Sequence, residues 1–323
     1  MRINALLCGV CLALGAVSTS QAQTYPDKHV TVVTPFAPGG GSDTIIRILQ
    51  PKLSEYLGQR IVIDNRPGAN GMIGAGYFAR TPADGYTALI SSAAVFTINP
   101  VLYKKLPYDP LKDFELLTEA TRSPYLLVVN PNFPVNSVHE LIDYLKRNPN
   151  KVTFAFSGIG ANDHLVAALF WQKTGTSAIS VPYKGGAGPA IQDLVAGHVN
   201  VMFNALGLLA PQIEGGQLKA LAVTTEKRLS MFPNVPTMKE LGIDDLVISS
   251  WQGMAVPKGT PKDAIDKLYS AIEKTLKDET VKKRMDEIGF EVVGSSPEEF
   301  TAFVKRELVR WDAVIKAGNI KVE

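Results

Sequence analysis

The chain predicts an α/β protein built as two comparable halves, and three observations carry that reading. β-Branched strand-like runs alternate with amphipathic helical stretches in two successive series. Each series contains a strand that ends in a glycine-rich turn and opens a helix, FAPGGGSD at 36–43 and SGIGANDH at 157–164. The length, 323 residues with 46% hydrophobic and 20% charged, exceeds what one core commonly serves.

The first element is a leader. Arg2 is the only charge ahead of an apolar run from Ala5 to Val17, and SQAQ at 20–23 offers small residues for cleavage after Ala22, so residues 1–22 read as a secretory signal peptide. That run is short for a membrane span, and no later segment has the required length. Cys8 and Cys11 both lie inside it, outside a lipoprotein cleavage context, so the exported chain is expected to carry neither disulfide nor thiol chemistry. A freely soluble periplasmic protein follows. Loss of Arg2 takes the formal charge from +2 to +1, with Lys and Arg interspersed among acids, which argues against nucleic acid as a partner.

The strand HVTVVTPF comes next, and the helix after it carries Ile45, Ile46, Ile48 and Leu49 at helical spacing. Ser42 or Asp43 is expected to cap that helix. The opening N–H groups of a helix have no internal partner and sit at the positive end of its dipole, so they welcome an anion. Gly39, Gly40 and Gly41 let the turn tighten and let a ligand touch the main chain. QRIVID and YTALISS continue the first series. The second opens at YLLVVNP and runs through a helix at 137–147, KVTFAF, a helix with Leu165, Val166, Leu169 and Phe170 capped by Asn162 or Asp163, AISVPY, a helix through Ile191, Leu194 and Val195, VNVMFN and KALAVTT. The last third is chiefly helical. Thr260 and Pro261 start a helix with a stripe of Ile265, Leu268, Tyr269, Ile272 and Leu276. SPEEF at 296–300 gives a capping box for another, buried through Phe300, Phe303, Val304, Leu308, Trp311 and Ile315 and stopped by Gly318.

Catalytic readings find little support. The four histidines, His29, His139, His164 and His198, are scattered, and HELID at 139–143 places Asp143 where a zinc protease needs its second His. No G-x-S-x-G, S-x-x-K or G-x-x-x-x-G-K occurs. A dinucleotide-binding enzyme is the strongest catalytic alternative, with Asp64 near the ribose position. Against it, Thr44 stands where the third Gly or Ala belongs, and an exported protein meets little soluble nicotinamide cofactor.

The ordered blocks TPFAPGGGSD, DNRPGANGMIGAG, PADGYT, NPVLYKKLPYDPLKDF, SGIGANDHL, VPYKGGAGPAIQDLVAGHV, LAVTTEKR, FPNVPTMKELG, WQGMAVPKGTP and SPEEF together resemble the Bug family, periplasmic solute receptors associated with tripartite tricarboxylate transporters. The resemblance spans nearly the whole exported chain. It implies a periplasmic-binding-protein-like Venus flytrap: lobe 1 from 25–124 plus 250–323, lobe 2 from 125–249, and hinge strands between them. The implied protein is a monomer without cofactor, metal or catalytic residue. Its implied partners are a small organic carboxylate and inner-membrane transporter subunits, with a two-component sensor kinase as the alternative recipient.

The resemblance also implies that two glycine-rich loops hold the ligand carboxylate through backbone groups and ordered waters. Carried onto this chain, the first loop is Phe36, Ala37, Pro38, Gly39, Gly40, Gly41, Ser42 and Asp43. The second is Ser157, Gly158, Ile159, Gly160, Asn162 and His164, with Ile159 bulkier than the small polar residue usual in that turn. Ser91, Ser92, Tyr183, Lys184, Gly185 and Gly186 are expected on the cleft wall, with Phe203 and Asn204 as weaker candidates. Asp43 could instead only cap its helix, His164 only pack, and Arg66 only fix its loop.

Overall fold

A computed structural model describes residues 25–183 and 186–321. The leader with its two cysteines, and the wall candidates Lys184 and Gly185, lie outside the described residues.

The first series forms β1 (Val30–Thr34), α1 (Gly41–Leu57), β2 (Ile61–Asn65), α2 (Met72–Phe78), β3 (Thr87–Ser92), a π-helical turn Ala94–Ile98 and α3 (Asn99–Leu102). A long strand, β4 (Phe114–Val129), leads into α4 (Val138–Arg147), β5 (Thr153–Phe156), α5 (Asn162–Thr174), β6 (Ile179–Pro182), α6 (Ala187–Ala196), β7 (Val201–Ala205), α7 (Leu206–Glu214) and β8 (Lys219–Val223). The chain returns through β9 (Ser249–Pro257) and finishes with α8 (Lys262–Lys277), α9 (Glu279–Glu287), β10 (Glu291–Val292) and α10 (Pro297–Ala317).

Strand order is β2-β1-β3-β9-β4-β7-β5-β6, with β8 and β10 also pairing β4. The β1 pairings with β2 and β3 are parallel, as are those of β5 with β6 and β7, so each half keeps the crossover pattern its sequence predicts. Between them the sheet is antiparallel. β9 pairs β3 on one side and β4 on the other, and β4 pairs β9 through Pro124 and then β7 from Tyr125 onward. One unbroken 16-residue strand therefore serves both halves. The result is a two-lobed α/β fold of Venus-flytrap type with a mixed sheet.

The hydrophobic core does not stop at the boundary between the halves. One buried cluster joins Val33, Phe96 and Trp251 of the first half to Phe154, Phe170 and Phe203 of the second. Helix α10, about 31 Å long at 1.5 Å per residue, lies across this seam. It packs on β4, the π-helical turn, α3 and α5, and its Val314 carbonyl accepts Gln172 Nε2 at 2.9 Å. Its capping box forms as expected, Ser296 Oγ accepting the Glu299 N–H at 3.1 Å and Glu299 Oε2 accepting the Ser296 N–H at 2.9 Å. Phe300, Val304, Trp311 and Ile315 are buried, and Phe303 and Leu308 partly so.

Two capping expectations need correction. The N-cap of α1 is Gly40 and that of α5 is Ala161, neither with a side-chain cap. The acids sit inside the first turn instead and reach back to the preceding loop. Asp43 accepts the Gly39 N–H at 2.9 Å, and Asp163 accepts the Ser157 N–H at 2.7 Å.

Candidate ligand site

Both glycine-rich junctions end strands that point at the seam between the halves, and a cavity of about 450 Å³ opens there. Gly39 adopts φ 82° and Gly160 φ 76°, left-handed conformations that glycine enters without strain and that fold each loop back over its strand. From the first half the cavity is lined by Phe36, Gly39, Gly40, Gly41, Ser42, Thr44, Asn70, Ser92 and Ala94. Ser157, Ala161, Asn162, Asp163, Asn204, Ala205, Gly207 and Leu208 face it from the second. Tyr125 on β4, Ser250 and Gln252 on β9, and Ile288 and Phe290 beside β10 complete the wall.

The first loop is braced from behind. Asp43 accepts Arg47 Nε at 2.7 Å and Asn65 Nδ2 at 3.0 Å as well as the Gly39 N–H. Burial opposes its ionisation, but these donors prevail and hold the carboxyl below its usual range. Ser42 Oγ donates to Gln252 Oε1 at 2.6 Å, tying the first turn of α1 to the return strand. The amides of Gly41 and Ser42 open the helix with no acceptor among the described residues.

The second loop is braced by its own carboxyl and imidazole. Asp163 Oδ2 accepts the Ser157 N–H and, at 2.6 Å, the Ser157 hydroxyl, while Oδ1 accepts the His164 N–H at 3.0 Å. Burial pushes this carboxyl up to about 6 against those bonds. His164 Nδ1 accepts the Gly160 N–H at 3.0 Å, which leaves the ring proton on Nε2, and the ring stacks on Phe156 with centroids 4.3 Å apart. Burial lowers His164 to about 4.

Because the folded value lies below the ordinary 6.5, the stability contributed by neutral His164 is fully present above pH 6.5 and is lost as pH falls through about 4. The loss is about 3 kcal/mol by linkage. Asp163 has the opposite sign: its contribution is full below the ordinary 3.8 and is lost as pH rises through about 6. His164→Gln should remove the first effect only. The stability difference between wild type and variant, followed by denaturant titration from pH 7 to pH 4, should shrink toward acid; a constant difference would show that the fold does not depress the imidazole's pKa.

Of the residues expected from sequence, Phe36, Gly39, Gly40, Gly41, Ser42, Ser92, Ser157, Asn162 and Asn204 reach the cavity. Ala37, Pro38 and Asp43 shape the first loop without lining it; Gly158, Gly160 and His164 do the same in the second, and Ile159 points to solvent at 52% exposed. Ser91 is buried in β3 with its hydroxyl unpaired among the described residues. Tyr183 donates to Asp193 at 2.6 Å beside α6, and Phe203 packs on Phe170 in the shared core. Arg66 pairs with Asp64 at 2.7 Å and stacks its guanidinium over Tyr77, so it fixes its own loop and occupies the acid of the dinucleotide alternative.

Asn70, Tyr125, Ser250, Gln252, Ile288 and Phe290 were not legible beforehand, because no local pattern says which strands cross the seam. Asp163 was visible only as a helix cap.

The chain matches, over residues 45–320, the family described as tripartite tricarboxylate transporter family receptor. BugT of Bordetella pertussis is 34% identical over 317 residues, covering 98% of this chain and 97% of its own. A solved R. palustris structure with adipate is 36% identical at TM-score 0.83, covering 92% of this chain and 99% of that one. MatC of Rhodopseudomonas palustris with bound malate is 31% identical at TM-score 0.80, covering 90% and 100%. That family is one of receptors and not of enzymes, and with a match across most of its length, this chain belongs to the tripartite tricarboxylate transporter receptor family, as its Bug-like blocks imply.

Proposed function

We propose that the protein captures a small organic acid in the periplasm by closing its two lobes, 25–124 plus 250–323 and 125–249, over the cavity, and delivers it to inner-membrane transporter subunits. The observation that carries this reading is a cavity at the seam of both halves, faced by strand–glycine–helix junctions from each and lined by no Lys, Arg or His among the described residues. An anion held there is held by main-chain amides and hydroxyls. The adipate and malate in the related structures support a carboxylate as the ligand class.

Micromolar capture needs about −8 kcal/mol. Two helix termini contribute at most about 2 kcal/mol each, so charge-assisted hydrogen bonds of roughly 1.5–3 kcal/mol apiece must supply the rest. Those bonds reach full strength only where water is excluded. Ligand therefore favours the state in which both loops touch it, and that state is what a membrane partner would recognise.

The test is a thermal-shift screen of the exported chain against citrate, succinate, adipate, glutamate, nicotinate and terephthalate. Ligand at about a hundred times its Kd stabilises by about 2.7 kcal/mol, and each kcal/mol moves the midpoint by roughly 2–4 °C. At least one acid should shift it by about 5 °C or more. A flat panel sinks the proposal. Reconstitution with the permease subunits should then give ligand uptake; uptake without this protein, alongside ligand-dependent sensor-kinase phosphorylation with it, would move the delivery step to signalling.

A further inference from the structure

The two loops facing the cavity are chemically unequal. In the first, Gly41 and Ser42 offer first-turn amides to the cavity, and the acid behind them, Asp43, is neutralised by Arg47 at 2.7 Å. The second differs in its acid, which no cation neutralises among the described residues, and four of its amides are spent within the loop. Ser157 and His164 donate theirs to Asp163, Gly160 to His164, and Ala161 to the Gly158 carbonyl at 3.1 Å.

Asp163 is the only charged residue among the described residues lining the cavity. It is 4% exposed and forms no ion pair among them; its nearest further donor, Asn204 Nδ2, stands 3.5 Å away. Asn162 beside it has a buried Oδ1 with no donor among the described residues. The second loop thus presents two acceptors and a negative charge in a site shielded from water. A second ligand carboxylate placed there would be repelled, whereas an N–H or O–H would gain a charge-assisted hydrogen bond.

We propose that the α1 junction takes the ligand's carboxylate and that Asp163 reads its other end, selecting a hydrogen-bond donor such as a carboxamide, hydroxyl or ammonium over a second carboxylate. This rests on the organic-acid reading above and narrows it. Asp163 is mostly ionised near neutral pH, since burial lifts it only to about 6. The other titratable groups near it do not compensate: Tyr125 on β4 is held neutral by burial, and His164 is neutral above about 4.

Calorimetry on the exported chain at neutral pH decides the matter with three matched pairs: succinate and succinamate, glutarate and glutaramate, adipate and adipamate. In every pair that binds, the half-amide should be at least about tenfold tighter, the like-charge penalty being of the order that separates such ligands. Asp163→Asn keeps the size of the side chain and removes its charge, so the preference should fall to parity or reverse, with the unliganded thermal midpoint recorded as the check on folding. Wild type favouring the diacid, or a half-amide preference that persists in the folded variant, overturns the proposal; if the variant does not fold, the wild-type ratio decides alone. Should none of the pairs bind, the tightest acid of the screen decides by its own charge, two ionised carboxylates overturning the proposal and one with a donor end supporting it. Absence of binding by every acid in both sets is a different result, and removes the receptor reading itself.

Discussion

Gly207→Ala is expected to weaken ligand capture by roughly a hundredfold, about 2.7 kcal/mol, while leaving the unliganded midpoint near that of wild type. A Cβ at Gly207 would sit 2.0 Å from the Ile288 carbonyl oxygen and 3.1 Å from the carbonyl carbon. The approach is mutual, for a Cβ at Gly289 would lie 2.8 Å from the Gly207 N and 3.0 Å from its Cα. Both contacts are with backbone, so no side-chain rotamer relieves them. Gly207 is the second residue of α7, which follows β7, whereas Ile288 and Gly289 belong to the turn between α9 and β10. These segments come from the two halves and meet beside the cavity, which they line through Gly207, Leu208, Ile288 and Phe290. A methyl group at 207 is accommodated only by moving the walls apart, which penalises the closed state and not the fold of either lobe. Calorimetry with the best acid of the screen measures the loss, and X-ray scattering should show the variant failing to contract with ligand. Affinity within about threefold of wild type, under about 0.7 kcal/mol on the same scale, would mean that this contact is not part of closure.

The second large effect concerns the core behind the seam. Phe300→Ala should cost about 3–5 kcal/mol, the range for deleting a fully buried aromatic ring. Phe300 meets Phe96 edge-on at 5.6 Å and Trp251 at 5.7 Å, and it is 0% exposed. Its ring also lies flush against β9, where a Cβ at Gly253 would come within 2.2 Å of Cζ and 2.8 Å of Cε1. Gly253→Ala alone should therefore cost about 1–3 kcal/mol by overpacking. With the ring removed, the added methyl has room. The double variant should be less destabilised than the sum of the singles by at least 1 kcal/mol, on the ~0.5–3 kcal/mol scale of contacting pairs. Denaturant unfolding of all four proteins provides the cycle. Additivity within about 0.5 kcal/mol would show that the two groups do not compete for one space.

What the sequence disclosed and what it withheld divide along physical lines. Periodicity found β1, β2, β3 and the helices of the second half because each is an amphipathic or β-branched run read locally. The capping box at Ser296 and the stop at Gly318 were legible for the same reason. Caps at 42–43 and 162–163 were misplaced because an acid in the first turn can bond backward into a loop as readily as cap the helix, and only the loop's path decides. The site was half legible. Glycine-rich turns announce themselves, but Tyr125, Gln252, Ile288 and Phe290 owe their position to β4 and β9 crossing side by side, a long-range pairing with no local signature. Phe203 fell on the core side of β7 and Asn204 on the cavity side, the alternation expected of successive strand residues.

The pairing of Ser92 with Gln252 carries a consequence for biogenesis. The amino-terminal three-stranded platform cannot acquire its fourth neighbour until a segment some 160 positions downstream has been made, and closing so wide a loop is entropically slow. A polypeptide that must thread a secretion channel before it folds is helped by such a delay. Maturation would then be completed on the far side of the membrane, when the carboxy-terminal helix arrives to seal both lobes from behind.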